Sequence, residues 1–318
     1  MRYGKITATA RYLPTKVVTN DALAQLMDTS DDWIQSRTGI KERRIAEAEN
    51  TSDLCLKVAQ QLIEKQTIAP ETLDFVIVAT MSADYTSPSV ACQVQGALGA
   101  VNALAFDVTA ACSGFVYALA TAENFIRSGL TRGLVIGGEK ISKLIDWQDR
   151  TTAVLFGDGA AGVLLEAAAK PSIIKQVLKA DGTRGDSLTA GYRVTKTAFY
   201  QEANEKNKLA MNGRAIYDFA LNDVTKCLKT FVGEETIDYY LFHQANERII
   251  QKMARKLKEP IEKFPMNLAN YGNTSAASIP ILLDELVEAE TIRLDGTQKV
   301  VFTGYGGGLT WGNLLLEL

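Results

Sequence analysis

The sequence predicts an α/β protein made of two similar halves, and two observations support this prediction. Apolar, β-branched runs typical of buried strands alternate with segments of helical periodicity, as in largely parallel sheets covered by helices. Three segments of the first half also recur, in the same order, in the second half, which indicates a duplication. We therefore expect two similar domains, residues 1–170 and 171–318. The length of 318 residues also favours two domains.

The elements of the first half follow from local patterns in chain order. Capping side chains at Thr51, Ser52 and Asp53 precede apolar residues at helical spacing, and β-branched runs mark the strands. The expected elements are a helix at 51–63, strands at 72–80 and 103–108, a buried helix from 114, and strands at 133–138, 152–156 and 163–166.

The second half repeats three of these segments. Residues 237–242, 299–304 and 306–317 echo residues 73–78, 133–138 and 157–166. An amphipathic helix is expected at 247–257. Residues 183–208 are polar and lack periodicity, so we interpret them as a surface excursion. A lid over a site and a tolerated loop fit this excursion equally well.

The bulk composition argues against several classes of function. A formal charge of −3 and a pI near 5.5 disfavour nucleic acid as a bulk electrostatic partner. The N-terminus lacks a signal-peptide pattern, and glycines interrupt the longest apolar stretch, residues 153–169, so that it cannot span a membrane. Four widely spaced cysteines without a CxxC pair exclude the familiar zinc spacings and give no disulfide framework. We expect a reduced, cytoplasmic protein with no metal and no membrane partner.

One glycine motif has the spacing of a dinucleotide-binding fingerprint but the wrong context. Gly157, Gly159 and Gly162 match GxGxxG. The fingerprint binds pyrophosphate only at the N-terminus of a following helix, whereas residues 163–165 are typical of a strand. We therefore expect no nicotinamide or flavin cofactor.

Three polar residues at the ends of strands or in the loops after them are candidates for a catalytic centre: Cys112, His243 and Asn273. Cys112 opens a helix, where free backbone N–H groups and the helix dipole favour a thiolate. His243, the only histidine, ends an apolar strand. Together with Asn273 it can donate hydrogen bonds to a carbonyl oxygen that becomes anionic. A structural role is the alternative for each, and the other cysteines fit the role of small buried hydrophobes.

A glycine run and a basic helix are two further candidate functional features of the sequence. Gly306, Gly307 and Gly308 follow a strand and can place a backbone N–H beside the nucleophile, completing an oxyanion hole with the N–H of Cys112. A glycine-rich hairpin turn is the alternative. The basic residues of helix 247–257 recur at three- and four-residue steps, which suits either an acidic partner or a solvated helix face. These residues are Arg248, Lys252, Arg255 and Lys256.

The order of these motifs resembles one family, the β-ketoacyl-[acyl-carrier-protein] synthase III enzymes that initiate bacterial type II fatty acid synthesis. The resemblance covers essentially the whole chain, through DDWIxxRTGI at 31–40, AACSGF at 110–115, FGDGA at 156–160, HQAN at 243–246, GNTSAAS at 272–278 and GGGxTWG at 306–312. It implies a thiolase-like fold, with two duplicated α/β halves in five αβαβα layers. It also implies a homodimer, and acyl-CoA as a substrate without a resident cofactor.

The resemblance also implies a decarboxylative Claisen condensation with two half-reactions. Cys112 would take an acyl group from acyl-CoA, and malonyl-acyl-carrier-protein would then lose CO2 and give 3-oxoacyl-acyl-carrier-protein. His243 and Asn273 would hold the malonyl thioester carbonyl as it becomes an enolate. The N–H groups of Cys112 and Gly307 would hold the tetrahedral oxyanion.

Binding roles follow from the same resemblance. Trp33 and Arg150 would enclose the adenine of CoA, Arg37 would meet the CoA phosphates, and Asn246 would meet the pantetheine arm. Arg248 would contact the carrier protein. The other basic residues expected at the carrier-protein surface are Arg214, Lys252, Arg255 and Lys256.

Two positions depart from the family pattern. Relatives often carry lysine where this chain has Asp218, which puts one carrier-protein contact in doubt. Relatives often carry an aromatic residue at position 87, which closes the acyl pocket across the dimer. Ser87 is small, and we expect a roomier pocket that accepts primers larger than acetyl.

Five other functions could use part of this set of residues. A type III polyketide-like condensing enzyme shares Cys, His and Asn, although those chains are longer. A cysteine-dependent thioester hydrolase uses the same residue types without malonyl units, and an acyl-CoA binder needs no chemistry at all. A thiolase would need a second cysteine near the C-terminus, and elongating condensing enzymes use two histidines, whereas this chain has no cysteine after Cys227 and one histidine.

Overall fold

The computed structural model describes residues 2–192, 196–201 and 207–318. Its strands are β1 (Tyr3–Tyr12), β2 (Lys16–Thr19), β3 (Glu42–Ile45), β4 (Phe75–Ala79), β5 (Leu104–Val108), β6 (Arg132–Glu139), β7 (Gly159–Ala168), β8 (Ile173–Ala180), β9 (Leu188–Thr189), β10 (Lys196–Thr197), β11 (Tyr200–Gln201), β12 (Ala210–Met211), β13 (Tyr239–Phe242), β14 (Lys299–Gly306) and β15 (Thr310–Glu317). Its α-helices are α1 (Asn20–Ala24), α2 (Asp31–Thr38), α3 (Thr51–Gln66), α4 (Val90–Leu98), α5 (Gly114–Ser128), α6 (Arg150–Ala153), α7 (Gly213–Phe219), α8 (Thr225–Val232), α9 (Glu247–Leu257), α10 (Leu268–Tyr271) and α11 (Ser278–Glu288).

Two sheets of matching topology form the centre of the molecule. The first has the strand order β1-β7-β6-β4-β5, and the second has the order β8-β15-β14-β13. In each sheet a parallel pair (β4 with β6, β13 with β14) is extended by two antiparallel pairings. The segments that echo each other in the sequence are therefore equivalent strands, and the predicted duplication is confirmed.

The helices and sheets stack in five layers. Helices α3 and α4 cover the outer face of the first sheet, and α5 and α11 lie between the two sheets. Helices α8 and α9 pack over the outer face of the second sheet, where Leu228 and Met253 join the core formed with Val301 and Leu315. This arrangement is the αβαβα order expected from the sequence.

The two halves share one core. The central apolar cluster between the sheets includes Ile6 of β1, Phe115 of α5, Leu283 of α11 and Phe302 of β14, so both halves contribute to it. The chain passes from the first sheet to the second between the end of β7 and the start of β8, near the expected boundary at residue 170. Because the halves bury their apolar faces against each other, the division into two domains stays a prediction.

One local expectation was wrong, and another was met only in part. Residues 152–156 do not form a strand: they begin within α6, and Phe156 makes only a single bridge, to Asn273. The Asp149 side chain accepts the N–H of Thr151 at the start of α6, and this local cap outweighs the β-branched composition. The N-cap residue of α3 is Asn50, one residue before the predicted segment. The predicted capping role of Asp53 is confirmed, because its carboxylate accepts the Asn50 N–H over 2.7 Å.

The polar excursion at 183–208 begins after the last strand residue of β8 and ends beside the segment that follows β6, where the Lys208 ammonium donates to Lys143 O. A 3₁₀ turn at Gly182–Ser187 leads into β9, which pairs with β12 on the return of the chain. Residues 193–195 and 202–206 of this segment lie outside the described residues, and its role as a lid stays a prediction. No helix in the described part of the chain is long and apolar enough to cross a membrane.

Candidate active site

Cys112 lies in a short, strained turn between a strand and a helix. The 3₁₀ turn Ala111–Ser113 follows β5, and α5 begins immediately after it. Ala111 has a φ of 43°, in the left-handed region that costs a non-glycine residue about 1–3 kcal/mol. The turn holds Cys112 at the N-terminal end of α5, with only 4% of the residue exposed.

The second half of the chain contains an equivalent turn. Ser275–Ala277 is also a 3₁₀ turn, Ser275 has a φ of 52°, and α11 follows directly. The two turns pack against each other. The duplication therefore brings Cys112 and Asn273 together from corresponding segments of the two halves, although the two residues do not occupy equivalent positions.

The thiol of Cys112 is not the thiolate that its position at a helix start led us to expect. Burial raises its pKa to about 12; a hydrogen bond with the Ser275 side chain opposes the increase, and the charge of Glu139 adds to it. The expectation fails because removing water from a charged sulfur costs more than the N–H groups of the helix start contribute. Cys112 therefore needs a proton acceptor before it can act as a nucleophile.

His243 is a neutral imidazole held through its Nδ1 atom. Its backbone N–H donates to Thr303 O over 2.9 Å, which extends the ladder of β13 and β14 by one residue. Nδ1 lies 2.8 Å from Ser278 Oγ, and the Tyr305 ring packs edge-on with its centroid 5.3 Å away. Burial lowers the pKa of His243 to about 3, so the ring is uncharged at neutral pH. With Nδ1 engaged, Nε2 is the nitrogen available to a ligand.

Asn273 is fixed through its backbone and its side-chain oxygen. Its N–H donates to Leu155 O over 2.8 Å, and its carbonyl accepts the N–H of Gly157 over 3.1 Å. Oδ1 accepts the N–H of Ser275 over 2.8 Å. Because Oδ1 is engaged, the side-chain NH2 is the group that remains to donate to a ligand.

One cavity of about 160 Å³ brings the three candidate residues together. Cys112, His243 and Asn273 line it with Tyr305 and Gly306. The rest of its wall is mostly apolar and includes Phe156, Leu188, Met211, Ile216 and Ile249. A thiol and two neutral hydrogen-bonding side chains thus face a largely apolar space, in which hydrogen bonds to a developing negative charge are strong. Among the described residues, no group of His, Cys, Asp or Glu side chains is arranged to hold a metal ion.

The glycine run at 306–308 lies directly against the nucleophile. A Cβ atom at Gly306 would lie 2.9 Å from Cys112 Cβ and 3.0 Å from Cys112 N, and one at Gly307 would lie 3.5 Å from the Ala111 Cβ. The same run connects β14 to β15, so the hairpin alternative is also correct. The glycines let the strand end approach the Cys112 turn, and the oxyanion role of the Gly307 N–H stays a prediction.

A larger cavity of about 640 Å³ adjoins the inner one and shares Leu155, Gly213, Tyr217 and Asn246 with it. Trp33 and Arg37 line the outer cavity, and the Arg37 guanidinium lies 4.6 Å from the Trp33 ring centre. The Arg150 guanidinium lies 5.3 Å from the same ring. The expected adenine-binding pair is therefore in contact, and a flat base could enter between its members only if Arg150 moved outward.

Asn246 stands where the two cavities meet. Its Oδ1 accepts the N–H of Arg248 over 2.9 Å and caps α9, while its Nδ2 donates to Arg37 O over 2.9 Å. The side chain therefore ties α9 to the end of α2. Its expected contact with the pantetheine arm stays a prediction.

The basic residues of α9 lie on an exposed face beside the outer cavity. Arg248, Lys252, Arg255 and Lys256 are all exposed, and the Lys256 ammonium donates to Leu221 O over 2.7 Å. Their role in docking a carrier protein stays a prediction. Arg214 is exposed at the cavity rim, but the Asp218 carboxylate lies 3.8 Å away and offsets part of its charge.

Ser87 lies away from the catalytic cavity of its own chain. It is exposed in the loop between β4 and α4, and it is not among the residues that line the inner cavity. A role in an acyl pocket would have to come from a second copy of the chain, as the resemblance implied, and stays a prediction.

Sequence reasoning missed four residues around the site. Ser278 holds His243, Ser275 lies in the turn that packs against the Cys112 turn, Glu139 bonds to Ser275, and Tyr305 packs on His243. Both serines stand in the GNTSAAS segment, whose run of small polar residues was a usable signal. Glu139 was detectable as an acidic residue at the end of an otherwise apolar strand.

Known proteins resemble this chain over its whole length. Residues 106–182 match the family 3-Oxoacyl-[acyl-carrier-protein (ACP)] synthase III, and residues 228–318 match the C-terminal part of that family. The beta-ketoacyl-[acyl-carrier-protein] synthase III of Enterococcus faecalis is 58% identical over 99% of both chains, and that of Lactococcus lactis subsp. lactis is 56% identical over 100% of both. The crystal structure of 3-oxoacyl-[acyl-carrier-protein] synthase III from Aquifex aeolicus superposes with a TM-score of 0.91 at 40% identity, covering 99% of this chain and 100% of that one. The chain therefore belongs to the 3-oxoacyl-[acyl-carrier-protein] synthase III family.

Proposed function

We propose that this chain catalyses the decarboxylative condensation of an acyl-CoA with malonyl-acyl-carrier-protein. The products are 3-oxoacyl-acyl-carrier-protein, CoA and CO2, and the reaction initiates fatty acid synthesis. The observation that carries the proposal is the single, largely apolar cavity lined by a cysteine, a histidine and an asparagine. The end-to-end similarity to synthases of this name supports the same function.

In the first half-reaction Cys112 is the nucleophile. Its sulfur attacks the thioester carbonyl carbon of acyl-CoA, the carbon–sulfur bond to CoA breaks, and an acyl-Cys112 thioester remains. The backbone N–H of Cys112 and that of Gly307 donate to the oxyanion of the tetrahedral intermediate. The close approach of the 306–308 run to the Cys112 turn supports this arrangement.

In the second half-reaction His243 and Asn273 stabilise the enolate. The carbon–carbon bond to the malonyl carboxylate breaks, CO2 leaves, and the electron pair moves towards the thioester oxygen. His243 Nε2–H and the Asn273 NH2 donate to that oxygen. The lowered pKa of His243 keeps the imidazole neutral, so it acts as a hydrogen-bond donor and not as a proton reservoir. The enolate carbon then attacks acyl-Cys112 and releases the cysteine sulfur.

The two substrates use the outer cavity in turn. The Arg150 guanidinium moves outward from the Trp33 ring, and the adenine binds between the two side chains. Arg37 meets the phosphates, and Asn246 borders the pantetheine arm where the two cavities join. Arg248, Lys252 and Arg255, with a smaller contribution from Arg214, attract the acidic carrier protein to the same opening. Lys256 keeps its positive charge while its ammonium donates to Leu221 O, and it adds to the same attraction.

We also propose a cytoplasmic homodimer without a resident cofactor. β5 is an edge strand of the first sheet, and large apolar residues are exposed beside it, with Val101 71% and Leu104 39% exposed. An exposed apolar sheet edge is a ready surface for a second copy. No resident cofactor is proposed because the substrates carry the acyl groups, Cys112 supplies the nucleophile, and backbone N–H groups and side chains supply the donors to the oxyanion and the enolate.

The test is the mass of the intact protein after incubation with acetyl-CoA, for the wild type and Cys112→Ser. We expect one acetyl adduct on the wild type and none on the variant. Adding malonyl-acyl-carrier-protein should remove the adduct as acetoacetyl-acyl-carrier-protein forms. An adduct that is lost equally fast to water would instead identify a thioester hydrolase. A wild type that binds acetyl-CoA without forming an adduct would identify a non-catalytic binder.

A further inference from the structure

Glu139 is a buried carboxyl group near the catalytic residues that the steps above do not use. It ends β6 and has no exposed surface. Its Oε2 atom accepts from Ser82 Oγ over 2.5 Å, and from the Ser82 N–H and Thr80 Oγ1 over 3.1 Å each. The other oxygen, Oε1, accepts from Ser275 Oγ over 3.1 Å. A buried carboxyl group of the first half of the chain is thus bonded to the Ser275 turn of the second half.

Ser275 also holds the side chain of Asn273. Its backbone N–H donates to Asn273 Oδ1 over 2.8 Å. The oxygen and the NH2 group of an amide exchange places when the side chain turns over, so the donor that binds Oδ1 decides where the NH2 group points. The direction of the Asn273 NH2 group, which donates to the enolate, therefore depends on the position of the Ser275 N–H.

Ser275 keeps its N–H in that position through an unfavourable backbone conformation. Its φ of 52° lies in the left-handed region, where the Cβ atom of any residue other than glycine is crowded. Such a conformation persists only where the surrounding structure holds it. Two contacts with β6 do so: Ser275 Oγ donates to Glu139, and the strand packs so closely that a Cβ atom at Gly137 would overlap Ala276 O.

We propose that Glu139 positions Asn273 for stabilisation of the enolate by holding Ser275 in its left-handed conformation. Without the bond to Glu139, Ser275 relaxes towards ordinary backbone angles and its N–H moves away from Asn273 Oδ1. The amide is then free to turn its oxygen towards the enolate, which repels it. Glu139 touches no reacting atom, so it is a positioning residue. The inference deepens the proposed function and rests on the role of Asn273 in condensation.

The two half-reactions should respond differently to the loss of this positioning. Transfer of the acetyl group to Cys112 uses the cysteine sulfur and the N–H groups of Cys112 and Gly307. Condensation needs the Asn273 NH2 group as well. A general defect in folding would lower both rates, whereas a misplaced Asn273 lowers the second and largely spares the first.

The test measures both half-reactions in single turnover: acetylation of Cys112 by acetyl-CoA, and formation of acetoacetyl-acyl-carrier-protein from the pre-acetylated enzyme. Ser275→Ala removes the hydroxyl and keeps the backbone N–H. We expect its condensation rate to fall about tenfold or more and its acetylation rate to change by about threefold or less. Glu139→Gln should show the same split. The Ser82 N–H can only donate, so it retains the amide oxygen and turns the NH2 group towards Ser275.

Two further variants separate the conformation of the turn from other effects. Glycine adopts a φ of 52° without crowding, so Ser275→Gly should keep the N–H on Asn273 and condense within about threefold of the wild type. Adding Glu139→Gln to Ser275→Gly should then cost little more. Thr80→Val is the matched control, because it removes a bond to the other oxygen of the same carboxyl group and should leave both rates unchanged.

A second readout needs no substrate, so it separates failure of this inference from failure of the proposed function. Hydrogen–deuterium exchange of residues 272–278 should be faster in Ser275→Ala and Glu139→Gln than in the wild type and Thr80→Val. Equal exchange in all four proteins would overturn the proposal. Condensation as slow in Ser275→Gly as in Ser275→Ala would also overturn it, because the hydroxyl would then act otherwise than through the conformation. If Glu139→Gln does not fold, the two serine variants decide the question, since both keep the carboxyl group.

Discussion

Replacing Gly306 with alanine should misplace the nucleophile while leaving most of the fold intact. The added Cβ would lie 2.9 Å from Cys112 Cβ, 3.0 Å from Cys112 N and 3.3 Å from Cys112 Sγ. Ordinary contacts between carbon atoms lie at about 3.5–4.0 Å, so the Cys112 turn must retreat by roughly half an ångström or more. The turn cannot yield freely, because Ala111 is already in the left-handed region and Ser113 Oγ is bonded to Ala110 O and Thr310 Oγ1.

The expected size of the effect follows from two terms. Overpacking of this kind costs about 1–3 kcal/mol of folding free energy. A displacement of about 1 Å at a reacting atom lowers the rate of a chemical step by about 100-fold. The assay is single-turnover transfer of the acetyl group from acetyl-CoA to Cys112, followed by intact mass, together with chemical unfolding of the same variant.

A matched substitution provides the control. Gly182 also has an ordinary φ, and a Cβ atom there would meet no atom within 4 Å. Gly182→Ala should therefore acylate at the wild-type rate and be unchanged or about 0.4–1 kcal/mol more stable. If Gly306→Ala acylates as fast as Gly182→Ala, the close packing of the glycine run against Cys112 is not what positions the nucleophile.

Four other outcomes can be checked. Because burial lowers the pKa of His243 from 6.5 to about 3, its contribution to stability is present above pH 6.5 and lost as the pH falls, by roughly 5 kcal/mol at pH 3. Unfolding curves should show this acid loss in the wild type relative to His243→Gln, and parallel curves would contradict it. Asn273→Asp should slow condensation about 100-fold or more but acylation only a few-fold, and equal losses would argue against the enolate role. Arg248→Glu should raise the KM for malonyl-acyl-carrier-protein about tenfold at low salt without changing that for acetyl-CoA, and a matching change in both would point to a general defect. Ser87→Phe should lower turnover with isobutyryl- or hexanoyl-CoA relative to acetyl-CoA, whereas strict acetyl preference in the wild type would refute the roomier pocket.

Periodicity and order of motifs were sufficient to predict most of the fold. The strand echoes correspond to equivalent strands of two sheets, and helix 247–257 matches the bounds of α9. The strand predicted after Gly157 is also confirmed. Because β7 begins at Gly159, the glycines of the GxGxxG spacing lead into a strand and not into a helix. These features are local or repeated, so a short window of sequence contains the information that determines them. The strand predicted at 152–156 was wrong, because the prediction relied on β-branched composition. The Asp149 side chain caps a short helix there instead.

By itself, the sequence determined the fold class, the duplication, and the candidates Cys112, His243 and Asn273 at the ends of strands or in the loops that follow them. Only the tertiary structure decided what surrounds these residues. The pKa of Cys112 is raised although it stands at a helix start, because the second half of the chain buries it. The partners of the site, Ser275, Ser278 and Glu139, are distant from Cys112 or from His243 in the chain. Desolvation and contacts between distant segments depend on how the layers pack, and neither leaves a periodic signal in the sequence.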